Sequence, residues 1–183
     1  QNPIIEVRDE AFAVADNGGN SIFVFTEDGL KGEIETTLPI EKITVSNQGI
    51  VSAILKNENS PRIMSYDATG NILYYNFGET GQEETDNKVT TDIYDNTVMA
   101  DIFFMGNNRS VVIGDNCFAI YRGSDIPEKV SEVQIGQEIR SVFHSDRYIG
   151  FILLNRDKSG YELRLYNRSG NQILNREIDG DYS

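Results

Sequence analysis

Apolar residues in this chain come in short runs of alternating or continuous character, each closed by a polar turn that reaches glycine. Four runs say the same thing: Ser21-Ile-Phe-Val-Phe-Thr-Glu-Asp-Gly29, Arg62-Ile-Met-Ser-Tyr-Asp-Ala-Thr-Gly70, Cys117-Phe-Ala-Ile-Tyr-Arg-Gly123 and Glu162-Leu-Arg-Leu-Tyr-Asn-Arg-Ser-Gly170. A more charged run follows each of them. The aromatic column Phe25, Tyr66, Tyr121, Tyr166 has separations of 41, 55 and 45 residues. Runs of roughly 4–8 residues rich in Val, Ile, Phe, Tyr and Thr predict strands, and self-similarity at a period near ~40–50 residues predicts the blades of a β-propeller. No window carries the i, i+3, i+4, i+7 apolar spacing of a capped helix.

The expected fold class is therefore all-β: a β-propeller of four-stranded antiparallel blades, about four to five of them, forming one domain over residues 1–183. The blades are placed at about 4–36, 39–77, 98–135 and 139–178, with a polar connection at 78–97. Within a blade the first strand is expected to line the axis and the last to form the outer edge. This makes Ile43–Ser46, Met99–Met105 and Ile139–His144 innermost, and Gly32–Thr36 and Lys129–Ile135 outermost. Outer edges should carry charge, because free strand edges must resist pairing with other chains. Glu33, Glu35, Lys129 and Glu132 are accordingly expected away from the centre. Four or so blades predict an incomplete ring, since a repeat array that neither closes nor is capped exposes an apolar face.

Composition narrows the partners more than the chemistry. The 183 residues carry 39% hydrophobic and 25% charged side chains, enough for one domain with a core. The net charge of −13 and the lack of any Lys/Arg cluster argue against a nucleic-acid backbone or an anionic membrane surface. No apolar run approaches the ~18 residues of a membrane helix, so no direct membrane insertion by this segment is expected. There is no basic region followed by an apolar one, as a signal peptide would need, and Gln1-Asn2-Pro3 reads as a cut within a longer protein. The single Cys117 sits inside a predicted strand and is expected to be a small buried hydrophobe without a disulfide.

Each candidate constellation has a plain structural reading beside it. His144, the only histidine, lies in Phe143-His-Ser-Asp146, which sets three triad residue types side by side. Neighbours along a strand point to opposite faces, so these three cannot converge on one another. One His and one Cys are too few for a zinc site. Asn155-Arg-Asp-Lys-Ser-Gly160 has the opening rhythm of a calcium loop, but it contains two cations and has Tyr166 where a bidentate Glu belongs, so a hairpin turn is expected. Asp16-Asn-Gly-Gly-Asn20 is read the same way. Asn108-Arg-Ser110 and Asn167-Arg-Ser169 match the glycosylation sequon but are taken as turns. No catalytic, cofactor or metal residue is assigned, and no cofactor is expected. A pair of carboxylates at the propeller mouth would suit glycoside hydrolysis; Glu6, Asp9, Glu41 and Asp101, on or beside the predicted inner strands, are the pairs to examine.

The absence of Trp excludes the Trp-Asp repeats and the quinoprotein docking motif, and one Gly-Gly doublet is too few for kelch blades. Several stretches carry a different likeness: Ala13-Val-Ala-Asp-Asn-Gly-Gly19, Gly32-Glu-Ile-Glu-Thr-Thr-Leu-Pro39, Val45-Ser-Asn-Gln-Gly49, Tyr75-Asn-Phe-Gly-Glu79, Gly114-Asp-Asn-Cys-Phe-Ala-Ile-Tyr121 and Ser141-Val-Phe-His-Ser-Asp-Arg-Tyr-Ile-Gly150. In their order the chain resembles domain-of-unknown-function family 5711, predicted propellers exported by Gram-positive bacteria. The resemblance implies a membrane anchor followed by a propeller on the extracellular face of the cell membrane, and brings no activity or catalytic residues. It also implies that Asp67-Ala-Thr-Gly70 and Tyr74-Tyr-Asn-Phe-Gly78 belong to successive blades, which predicts a break in the chain between Gly70 and Tyr74. The functional expectation is a non-catalytic ectodomain that recognises an unknown protein or glycan at the bacterial surface; the alternative is a carbohydrate-active enzyme using carboxylates at the mouth.

Overall fold

Every turn between the first and second strands of a unit closes on a backbone bond across its base, spanning three residues in the first and last units and four in the two between them. Arg8 N donates to Ala11 O (2.8 Å), Ser46 N to Ile50 O (2.9 Å), Met105 N to Arg109 O (2.8 Å) and Ser145 N to Tyr148 O (2.9 Å). The computed structural model describes residues 2–58, 61–76, 101–106, 108–123, 128–157 and 160–178. These form four antiparallel four-stranded sheets, each in simple sequence order. The first blade contains β1 (Pro3–Val7), β2 (Ala11–Asp16), β3 (Ser21–Thr26) and β4 (Gly29–Glu35), and the second β5 (Ile40–Val45), β6 (Val51–Leu55), β7 (Arg62–Tyr66) and β8 (Ile72–Asn76). The third contains β9 (Asp101–Phe104), β10 (Arg109–Ile113), β11 (Cys117–Arg122) and β12 (Glu128–Gln134), and the fourth β13 (Ile139–His144), β14 (Tyr148–Leu154), β15 (Tyr161–Asn167) and β16 (Gln172–Ile178). The architecture is an incomplete β-propeller, and the expected connection at 78–97 lies outside the described residues.

The blades pack face to face through three apolar cores. Alternation in β2 sends Ala11, Ala13 and Ala15 to the second blade, where they meet Val51, Ala53, Leu55 and Tyr66. Ile54 and Ile63 on the other side of the second blade meet Val112, Ala119 and Tyr121. Phe118 and Ile120 meet Phe151, Leu153 and Tyr166 between the third and fourth. The aromatic column thus has a common job. Tyr66, Tyr121 and Tyr166 each face the preceding blade and are buried. β6, and β10 after its first residue Arg109, are flanked by a blade on either side and are apolar or small on both faces; Ser52 of β6 shares a buried hydroxyl pair with Ser65 at 2.5 Å. The lone Cys117 is buried in the third blade, and burial together with the acidic Glu132 and Asp115 pushes its thiol pKa up.

Radial order follows the charge pattern. β4 and β12 form outer edges, Glu33, Glu35 and Glu132 are exposed and Lys129 is half-buried, while inner-strand side chains of β1, β5, β9 and β13 meet near the axis. The strand limits differ from expectation by a few residues: the inner strand of the second blade starts at Ile40, and the outer strand of the first at Gly29.

One expectation is overturned. Between Gly70 and Tyr74 there is no break. Asp67 N donates to Asn71 O (2.9 Å), Gly70 N to Asp67 O (3.1 Å), and Tyr66 pairs with Ile72. Ile72–Asn76 is the outer strand of the second blade rather than part of a following one. The cause is local. Asp67 accepts from Thr69 N and Asn71 N with Oδ1, both at 2.9 Å, and Gly70 supplies φ of 93°, so five residues suffice to reverse the chain. The fourth blade repeats the turn with Asn167, Ser169, Gly170 (φ 79°) and Asn171, which is what the sequon-like Asn167 does.

Candidate functional site

The inner turns of all four blades gather at one end of the axis. They contribute Arg8 and Asp9 from the first blade, Asn47 from the second, Gly106 from the third and Asp146 from the fourth, which with Val7 line a cleft of about 240 Å³. Arg8 is the centre of this mouth. Its Nε donates to Val45 O (3.3 Å), its Nη2 to Phe104 O, and its Nη1 to Asp146 Oδ1 (3.3 Å). One side chain from the first blade therefore touches each of the other three. Gly106 N donates to Asp146 Oδ1 (3.1 Å), so the same carboxylate also ties the third blade to the fourth. A second, wider cleft of about 510 Å³ shares Arg8, Asp9 and Asn47 and continues to Glu10, Glu27 and Asp28.

Just inside the mouth, the inner strands bring together charges that lie far apart in sequence. Lys42 on β5 pairs with Asp101 Oδ1 on β9. Glu6 on β1 joins them. Burial raises its pKa, Lys42 and Arg8 work against the rise, and Asp101 adds to it. His144 on β13 stacks flat on Phe103, with ring centroids 3.8 Å apart and planes at 5°. Lost hydration, and next the charge of Arg8, move its pKa below the usual histidine value.

The sequence-derived candidates divide accordingly. Glu6 and Asp101 converge on Lys42, and Asp9 lines the mouth. Glu41 does not join them: it occupies a register shift between Ile40 and Lys42 and is exposed. His144, Ser145 and Asp146 diverge as strand geometry requires. The imidazole lies on Phe103, Ser145 Oγ accepts from Arg147 N and Tyr148 N (both 3.2 Å), and Asp146 turns to Arg8. At the calcium-like stretches, Asn155 N donates to Gly160 O (3.0 Å), and Gly19 N donates to Asp16 O (2.9 Å), both as turns. Arg8, Lys42 and Asn47 escaped the sequence reading, and Asp146 entered it only as a triad residue type. The signal was present, since Arg8, Asn47 and Asp146 each lie just beyond the end of an inner strand and Lys42 lies within one.

Comparison with known proteins agrees with this architecture. The model of a family of unknown function (DUF5711) matches residues 1–74 and 70–183. The chain belongs to that family. The two matches overlap over residues 70–74, at the end of the Asp67–Asn71 turn and the start of β8. A search of curated proteins finds no match. Among solved structures, the chain is similar to the Kuenenia stuttgartiensis hydrazine synthase (15% identity, TM-score 0.61, covering 96% of this chain and 48% of that one). It is also similar to BamB from Moraxella catarrhalis (12% identity, TM-score 0.59, 96% and 53%) and to Hsv2 of Kluyveromyces marxianus (10% identity, TM-score 0.55, 96% and 59%). At these identities the likeness is one of fold. The chain spans about half the length of the structures it matches.

Proposed function

We propose that this chain is the recognition part of a non-catalytic propeller ectodomain at the bacterial cell surface, and that the axial mouth binds a protein or glycan. The observation that carries the reading is the cleft of about 240 Å³, lined by a turn from every blade, to which the first, second and fourth contribute the polar or charged side chains Arg8, Asp9, Asn47 and Asp146. Binding sites of this kind combine a few placed hydrogen-bonding groups on a rigid scaffold. Arg8 donates, Asp9 and Asp146 accept, and Asn47 does both, a set suited to hydroxyl-rich or peptide ligands. The surface address rests on the family's resemblance to exported propellers, and the acidic charge is consistent with a soluble exposed domain. The test is a screen of peptidoglycan fragments, glycans and cell-surface protein fractions against the chain and against Asp9→Ala and Asn47→Ala. Loss of at least ~10-fold in affinity, about 1.4 kcal/mol, is expected in both variants. Binding that ignores both substitutions would refute the mouth as the site.

One observation favours a second reading, a carbohydrate-active enzyme. Burial raises the pKa of Glu6 beside Asp101, which pairs with Lys42, and two carboxylates set in different surroundings are what glycosidases use for their acid and base roles. Release of sugars from a glycan panel, abolished in Glu6→Gln, would replace the binding reading with this one.

A further inference from the structure

Three arginines gather at the mouth end of the groove between the third and fourth blades. Arg109 and Arg122 are direct cross-strand partners on β10 and β11. Alternation from Val111 and Ile113 on one strand, and from Phe118 and Ile120 on the other, turns both toward the fourth blade. Like charges opposed in this way repel. The third cation comes from the facing wall. The β15–β16 turn of the fourth blade rests on the outer strand of the third, since a Cβ on Gly170 would collide with Ser131 Oγ. From that turn Arg168 reaches toward the inner edge of the third blade, where a Cβ on Gly106 would lie 3.2 Å from its Nη2. The sheet order is β12-β11-β10-β9, so the side chain passes over the ends of β11 and β10, where Arg122 and Arg109 stand.

The cluster lacks its counter-charges. Nε of Arg109 and Nε of Arg168 are buried without a hydrogen-bond partner among the described residues. Arg122 Nη2 donates to Glu128 Oε2 at 3.3 Å, but the side chains are 53% and 71% exposed, and a pair so exposed contributes little and gives way readily. Asp146 lies beyond Gly106, where Arg8 and Gly106 N already hold it. A buried donor without an acceptor costs stability and calls for a specific explanation. In a chain of net charge −13, three cations brought together with two such donors among them are explained by an anion that belongs there. A guanidinium is a planar fork that takes two oxygens of a carboxylate or phosphate. One fork fills a carboxylate. Forks on two facing walls suit a tetrahedral group, whose oxygens point toward both.

We infer that this groove binds a phosphate group, with Arg109 and Arg168 gripping it from the two walls and Arg122 adding charge. The site adjoins the mouth at Gly106 but uses none of the mouth's polar side chains, so it stands whether or not the mouth binds a ligand. Calorimetric titration and thermal unfolding of the 183-residue chain in phosphate-free buffer test it. The probes are inorganic phosphate and glucose 6-phosphate, against acetate and sodium chloride at matched ionic strength. Saturable binding with a rise in Tm is expected for the phosphates alone. Affinity should fall at least ~10-fold in Arg109→Gln and in Arg168→Gln, as loss of a charge-assisted bond requires. It should be unchanged in Arg156→Gln, which removes an equal charge from the β14–β15 turn at the far end of the fourth blade. Without phosphate, both groove variants should keep the parent's circular dichroism and melt no lower than the parent, because each relieves repulsion. Tighter binding of glucose 6-phosphate than of inorganic phosphate would identify a phosphorylated sugar as the source, and equal affinity free phosphate. A phosphate effect matched by acetate or chloride, or one that survives either groove substitution, would overturn the inference. So would a lower Tm in either groove variant without phosphate, since that guanidinium would then have its partner within the protein.

Discussion

Replacing Arg8 with Met should loosen the whole array, because one guanidinium reaches three other blades. The stem of the side chain is kept and its donors are lost. The donors that matter go to Val45 O and Phe104 O, two backbone carbonyls on neighbouring inner strands. A hydrogen bond involving a charged partner contributes about 1.5–3 kcal/mol, and a carbonyl left without a donor costs about 1–3 kcal/mol when water cannot reach it. The Arg8–Asp146 pair adds little. Asp146 is 62% exposed against 21% for Arg8, and ion pairs at such sites are worth about 0–1 kcal/mol. The mouth is open enough for water to replace part of what is lost, which brings the expected cost to about 2–4 kcal/mol. For a chain of this size that is roughly 5–15 °C in Tm. Urea titration followed by near-ultraviolet circular dichroism reads it directly, with Asp146→Asn as the companion expected to lose about 1 kcal/mol or less. If Arg8→Met came within about 0.5 kcal/mol of the parent, or if Asp146→Asn cost as much as Arg8→Met, Arg8 would not be the clasp described.

Gly32→Ala should destabilise by about 1–3 kcal/mol or more, since a Cβ there would lie 1.9 Å from Ala68 O on the turn of the next blade; chemical denaturation checks it, and a neutral result would refute the close approach. Burial holds the Tyr66 phenol at about 12 in the fold, against ~10 in an unfolded chain. Its stabilising contribution is complete below pH ~10 and is lost as pH rises through about 12, so alkaline unfolding should shift to higher pH in Tyr66→Phe if the cavity left by the hydroxyl is small. Asp67 behaves oppositely. Slight burial works to raise its pKa, but hydrogen bonds from the side chains and backbone of Asn71 and Thr69 outweigh that and hold it at about 2. Its contribution is present above pH ~4 and fades as pH falls through about 2, and Asp67→Ala should flatten the acid limb of a stability–pH curve.

Much of the fold could be read in advance because the information is local and repeated. Alternation within Ala11–Asp16 and continuity within Val51–Leu55 report directly on one free face or none, and turns such as Asp67–Asn71 announce themselves through Asp, Gly and Asn. The misplaced break at Gly70 came from giving family spacing precedence over that turn chemistry, although Asn167-Arg-Ser-Gly170-Asn171 repeats the same turn elsewhere in the chain. The mouth was only partly legible. Acidic residues near inner strands pointed to Glu6, Asp9 and Asp101, but which cation meets which carboxylate depends on how four blades are angled about an axis. No single blade contains that angle. Arg8 looks like an ordinary turn residue until Val45, Phe104 and Asp146 are brought around it.

Residue-resolved hydrogen exchange, followed through successive dilutions to the single-chain limit, tests most directly whether this is an open four-blade array. Backbone amides of β6, β7, β10 and β11, in blades covered on both sides, should be the slowest to exchange. Those of β2, β14 and β15, in blades with one bare face, should exchange faster although they too are interior strands of their sheets, because less packing resists their local opening. Equal protection across all four blades at the dilution limit would mean that the first and fourth blades of one chain close on each other, and would contradict the open arc.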